Sequence, residues 1–190
     1  MPYIRECIVT TVDRQGKAHI APLGIIAEKD GWVIAPFRPS TTLDNLGQVP
    51  FAVANYIDDV RIFAGCLTGR KDWPLLPVEG VAVPRLAGAL AHSVLAVESV
   101  DDDTLRPRHF CRVVAEATHA PFTGLNRAKA AVLELAILVS RLGMLPAEKV
   151  EAEIAYLSIA IEKTAGPAER EAWGWLMQRV ADHKPGAGQR

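Results

Sequence analysis

The chain has 190 residues, 49% of them hydrophobic, which is enough apolar material for one good core or for a domain with a sizeable appendage and excludes a mainly disordered protein. Its 21 Lys and Arg nearly cancel its 22 Asp and Glu, and no basic stripe carries interleaved aromatics, so nucleic acid is not an expected partner. Three widely spaced cysteines in apolar stretches, Cys7, Cys66 and Cys111, read as reduced core thiols and a cytoplasmic setting rather than a disulfide framework.

The N-terminus has no basic region leading into an apolar run, so no signal peptide is expected. Residues Ile4–Val12 are rich in β-branched side chains, and Asp13-Arg-Gln-Gly16 turns the chain into 17–26, which predicts a hairpin. Another turn signal, Glu28-Lys-Asp-Gly31, leads into a strand at 32–35, and Phe51–Tyr56 reads as a fourth strand of a meander.

Between the third and fourth strands, Pro36 and Pro39 bracket Phe37 and Arg38 in extended backbone, which holds Arg38 out at a strand end. Ser40, Thr41 and Thr42 follow as N-cap residues of a short helix through Leu46. A guanidinium, hydroxyls and backbone N–H groups converging there suit a phosphate. The other reading of the same residues is a capped surface helix beside a solvated arginine.

A short helix is predicted at 60–67, and 69–84, with Pro74, Pro77 and Pro84, reads as a long loop. Two long strands, 87–100 and 109–119, are joined through Asp101-Asp-Asp103. In the second, Phe110, Arg112, Val114, Glu116 and Thr118 alternate with Cys111, Val113, Ala115, Ala117 and His119, which predicts one mostly dry face.

At Asn126 the period changes from two to 3.6. Arg127, Glu134 and Arg141 form one polar stripe on a helix at 126–142 that is otherwise apolar, so it is expected to be buried on most sides and to leave surface for a second chain. Its most apolar part, 130–139, is interrupted by Glu134 and is too short to span a bilayer. Ala147–Thr164 makes a second helix, and Pro167 opens a third presenting Trp173, Leu176 and Val180. Strands followed by helices predict an α+β fold, an antiparallel β-barrel followed by a three-helix C-terminal segment. The domain reading is a barrel at 1–123, a helical segment at 124–184 packed on the barrel or on a dimer partner, and a frayed tail at 185–190.

His19, His92, His109, His119 and His183 show no metal-site spacing, and no Gly-x-Ser-x-Gly elbow or Gly-rich nucleotide fingerprint is present. Cys111 and His109 share a strand face with Val113 and read as core. Asn45, Asn55, Asp58, Asp59 and Arg61 cluster near the fourth strand and suit turn caps.

Thr10-Thr11, Ala21-Pro-Leu-Gly24 and Arg38-Pro-Ser-Thr-Thr-Leu-Asp-Asn45, in that order, resemble the FMN-binding split β-barrel flavoproteins. With Asn55-Tyr-Ile-Asp-Asp-Val-Arg61 and Asn126-Arg-Ala-Lys-Ala-Ala-Val-Leu-Glu134 added, the chain is similar over nearly its whole length to a family of uncharacterised flavoproteins of methanogens and methylotrophs. The resemblance implies FMN as cofactor and a homodimer with each flavin near the subunit interface. It implies that Arg38, Ser40, Thr41 and Thr42 hold the phosphate, and that the backbone of Pro22, Leu23 and Gly24 faces the flavin ring. It adds Asn45 and Asn55, and places Asn126, Arg127 and Lys129 toward the site or the partner. The implied function is an FMN-dependent oxidoreductase acting on a small cytoplasmic substrate, near tetrahydromethanopterin-linked one-carbon metabolism; the alternative is a non-enzymatic flavin carrier or structural homodimer. Because the flavin supplies the redox chemistry, no acid–base pair need stand out in the sequence.

Overall fold

The computed structural model describes residues 2–183, and the tail assigned to 185–190 lies outside them. The barrel strands are β1 (Ile4–Val12), β2 (Ala18–Glu28), β3 (Gly31–Ile34), β4 (Phe51–Tyr56), β7 (Ala91–Asp101) and β8 (Arg108–Thr118), with β5 (Leu75–Val78) and β6 (Val81–Leu86) forming a separate hairpin. The helices are α1 (Thr41–Leu46), α2 (Arg61–Leu67), α3 (Arg127–Val139), α4 (Ala147–Thr164) and α5 (Pro167–Ala181). The chain divides into two units, one of Met1–Ile57 with Asp72–Phe122 and the other of Asp58–Lys71 with Thr123–Arg190. The α+β reading stands. The second unit takes in α2 as well as the three C-terminal helices, so the segment 58–71, which the sequence assigns to the barrel, belongs with them.

In the first unit, six antiparallel strands close a barrel in the order β1-β2-β3-β8-β7-β4. The expected meander therefore holds only through β3. β4 does not continue beside β3 but pairs with β1 and β7, because the outer edge of β3 is taken by β8. Alternate residues fill the interior, including Cys7, Val9, Ile25, Ile34, Ala52, Ala54, Leu95 and Cys111. Each large apolar side chain buried this way contributes about 1.5–3 kcal/mol.

The 69–84 segment is a loop only as far as Pro74; from Leu75 it is strand. It forms the β5–β6 hairpin, which lays Val83, at 0% exposure, against Val12, Val53 and Val94. Prolines hide these strands from a sequence reading, since proline lacks the N–H that a ladder needs. The structure sets Pro77 at a register shift between Leu76 and Val78, where no pairing is required of it, and Gly80 turns the hairpin at φ 73°.

The dry face predicted for β8 also ends early. His109 and Cys111 are buried, but Ala115, Ala117 and His119 are exposed. β3 is only four residues long and pairs with His109, Phe110 and Cys111, so from Arg112 onward the described residues give β8 a ladder on one side only, with β7. That ladder shifts register between Val94 and Leu95, which ends the simple alternation.

In the second unit, α3 buries Ala128, Ala131, Val132, Leu135, Ala136, Leu138 and Val139, while Arg127, Glu134 and Arg141 are exposed as the stripe predicts. α2, α4 and α5 surround it. The breadth of its apolar surface, from which a second chain was expected, is therefore used within its own unit.

Candidate functional site

The ladder between β2 and β3 runs only from Ile26–Val33 to Glu28–Gly31. Beyond Val33 the chain leaves β2, and the stretch 35–38 is held instead by the β7–β8 connection. Arg38 N–H donates to the Leu105 carbonyl at 2.9 Å, Arg106 Nε donates to the Ala35 carbonyl at 2.6 Å, and the Arg106 guanidinium lies 4.9 Å from the centre of the Phe37 ring. Asp103 braces this connection by accepting from the N–H groups of Leu105 and Arg106.

Two consequences follow for the predicted residues. Pro22, Leu23 and Gly24 pair with Ile8, Cys7 and Glu6 of β1, and among the described residues no ladder takes the other edge of β2 at that height. Gly24 also has a packing reason to be glycine: a Cβ there would sit 2.7 Å from Ile4 Cγ2 and 2.9 Å from the Glu6 carboxylate.

Arg38 projects into an open pocket of about 540 Å³ lined by Leu43, Asp44, Gly47, Gln48, Val100, Asp102, Pro107 and His109. Its Nη2 donates to Asp102 Oδ1 at 2.5 Å, with 47% and 76% of the two side chains exposed. Ser40 is the N-cap of α1, yet its hydroxyl makes no cap hydrogen bond, and Thr41 is exposed. The sequence reading of these hydroxyls as caps is thus not realised at Ser40, which leaves that hydroxyl available. Thr42, at 1% exposure, is inside the fold.

His109 is the residue that sequence reasoning passed over by assigning it to the core. It is buried, at 7% exposure, yet its Nδ1 has no hydrogen-bond partner. Burial, reinforced by the Arg38 charge, holds its pKa below the ordinary histidine value. A buried ring nitrogen without a partner is costly, and the residue that carries it lines the same pocket as the Arg38 guanidinium. Asp102 was likewise read only as part of an acidic connection, because sequence does not show that this connection folds back beside Arg38.

Asn45 and Asn55 have structural duties. Asn45 Nδ2 donates to Thr11 Oγ1 at 3.0 Å and ties α1 to β1. Asn55 is fully buried, donates to the Ile8 carbonyl and to Thr10 Oγ1, both at 2.9 Å, and accepts from Leu86 N–H at 2.7 Å. Both ends of its amide are engaged, which leaves no group for a cofactor.

In the helical unit, Asn126 caps α3, its side chain accepting from Ala128 and Lys129 N–H while Nδ2 donates to the Thr164 carbonyl. Arg127 is exposed, and Lys129 pairs with Asp58. Asp59 accepts from the Arg61 guanidinium and backbone N–H, so this acidic pair organises α2 and α3, as the turn-cap reading expects in kind. No group of three or more metal-ligating side chains occurs among the described residues. The three thiols are free and buried, and burial pushes Cys7 and Cys111 up to about 12 and Cys66 up to about 11, so none is a ready nucleophile.

Comparison with known proteins bears on the whole chain. Residues 5–120 match the family described as protein of unknown function (DUF447) N-terminal domain, and residues 126–178 match protein of unknown function (DUF447). Curated protein sequences give no match. Among solved structures, the FMN-bound protein MM1853 from Methanosarcina mazei, itself assigned to DUF447, superposes with a TM-score of 0.80 at 19% identity, covering 94% of this chain and 96% of that one. The 2-nitrobenzoate 2-nitroreductase NbaA of Pseudomonas fluorescens gives 0.53 at 22% identity over 63% of this chain and 66% of its own. The NADH:FAD oxidoreductase SgcE6 of Streptomyces globisporus gives 0.51 at 14% identity over 62% and 78%. At these identities the likeness is one of fold.

Proposed function

The chain belongs to the DUF447 family, and from that premise we propose that it is an FMN-binding flavoprotein acting as an oxidoreductase on a small substrate. The observation that carries the reading is the pocket lined by Arg38 and His109, with the uncapped Ser40 hydroxyl and exposed Thr41 following Arg38 in the chain, in a fold shared nearly end to end with an FMN-bound protein. These residues fit a phosphate monoester, which carries close to two negative charges and needs several donors. The edge of β2 at Pro22–Leu23–Gly24, which no ladder takes among the described residues, offers backbone groups to the ring system. Bound FMN supplies hydride or electron transfer; the protein's part is to anchor the phosphate, orient the ring and limit access of water. The pterin-linked substrate rests on the sequence resemblance alone.

The homodimer belongs to the same reading, and its support moves from α3 to the barrel. The far half of β8 exposes Val114, Ala115 and Ala117 and, among the described residues, has a ladder on one side only, a combination that a second copy is suited to cover. Light scattering at micromolar concentration is expected to give twice the chain mass; a monomer with FMN bound removes the dimer.

Titration of purified apo-protein with FMN is expected to quench flavin fluorescence at a one-to-one ratio. Anaerobic addition of NADH or NADPH then tests turnover. Reduction of the bound flavin supports the oxidoreductase, binding without reduction by any donor or tetrahydromethanopterin supports the carrier, and absence of binding defeats both.

A further inference from the structure

The pocket at Arg38 contains its own competitor. Asp102 sits on the guanidinium, while His109, which lines the same pocket, has a buried Nδ1 without a partner. A site built only to form the Arg38–Asp102 pair would have no use for a buried, unsatisfied ring nitrogen beside it, since such a group carries a desolvation penalty. A neutral imidazole in its Nδ1–H tautomer donates to an oxyanion, and the same nitrogen makes no hydrogen bond to Asp102 as that carboxylate is placed.

We infer that Asp102 is a built-in gate on the anion site: in the free protein its carboxylate occupies Arg38, and a phosphate-bearing ligand displaces it, taking both Arg38 and the His109 Nδ1–H. This rests on the FMN reading and adds a selectivity to it. A dianion outcompetes a single carboxylate for the guanidinium, whereas a flavin without phosphate gains nothing by opening the pair. The pair is well placed to be displaced, since both side chains are substantially exposed and such pairs are weak. The connection that carries Asp102 is pinned independently by Asp103 and by the Arg106–Ala35 and Arg38–Leu105 hydrogen bonds, so the carboxylate is free to swing away without unfolding it.

The test compares FMN, riboflavin and inorganic phosphate binding to wild type, Asp102→Asn and Asp101→Asn, with circular dichroism to verify folding. Asp102→Asn is expected to bind FMN and phosphate about fivefold more tightly, corresponding to the upper end for an exposed pair, with riboflavin affinity unchanged. Asp101→Asn, a like charge change on the adjacent residue, is expected to give less than half that gain. In histidine ring NMR, the His109 Nδ1 signal moves on phosphate addition. Unchanged FMN affinity in Asp102→Asn, an equal gain for riboflavin, an equal gain in Asp101→Asn, or a His109 signal indifferent to phosphate overturns the gate. If no variant binds either flavin, the FMN reading fails, and the phosphate titration followed at His109 still decides the gate: a fivefold difference between wild type and Asp102→Asn retains it and equality removes it.

Discussion

His92 Nδ1 lies 2.8 Å from His119 Nε2, with the two rings nearly parallel at an interplanar angle of 6°. One nitrogen donates and the other accepts, which is satisfied when both rings are neutral. Burial, the His119 ring and Arg85 lower the pKa of His92, and desolvation and Arg85 lower that of His119. His109 is lowered too, by burial and Arg38. Groups with folded pKa values below their unfolded value near 6.5 contribute stability that is fully present above that pH and is lost as pH falls from there toward the folded values, because the unfolded chain binds the extra protons.

The expected outcome is a melting temperature level from pH 8 to 7 and falling below pH 6.5, by about 2–4 °C for each kcal/mol in a chain of this size. Substituting His92→Asn together with His119→Gln should flatten part of that slope. A stability that rises on acidification through this window contradicts the assignment.

Arg38→Ala is expected to weaken FMN by about 1.5 kcal/mol, roughly tenfold, at the low end for a charge-assisted contact because Arg38 is half exposed. Riboflavin, lacking the phosphate, should bind wild type and mutant alike, and the melting temperature should hardly move. Fluorescence titration with both ligands decides it, and equal FMN affinities remove Arg38 from the site.

Asn55→Ala is expected to cost about 3 kcal/mol of stability, since it orphans the Leu86 N–H and removes the donor to the Ile8 carbonyl in a fully buried place. FMN affinity per folded molecule should be unchanged. Denaturant unfolding beside flavin titration separates the two roles: loss of FMN affinity at unaltered stability reinstates Asn55 as a ligand.

At Gly31 a Cβ would stand 2.3 Å from the Cys111 carbonyl oxygen. That neighbour is backbone in the β3–β8 ladder and cannot yield as a flexible side chain does. Gly31→Ala should therefore cost about 1–3 kcal/mol and loosen the short strand that carries the chain to Arg38. Faster amide exchange at Val33 and Phe110 is the local readout; unchanged exchange and melting contradict the packing.

Period and turn chemistry carried much of this fold. The β-branched run at Ile4–Val12, the strand Phe51–Tyr56, the polar stripe of α3 and the Pro167 start of α5 are legible because local preference and tertiary demand agree there. The short helix that begins after Arg38 with Ser40 at its N-cap was legible for the same reason, since its start signals are contiguous in the chain. What only tertiary structure decided are relations between residues distant in sequence. β4 lies beside β1 because β8 takes the edge of β3; Pro77 is tolerated in a strand because a register shift spares it a ladder bond; Asn55 is consumed by β1 and β6; and Asp102 and His109 reach Arg38 across 64 and 71 positions. Local sequence encodes which hydrogen bonds a segment can make, whereas closure of the barrel determines which partners are within reach to make them.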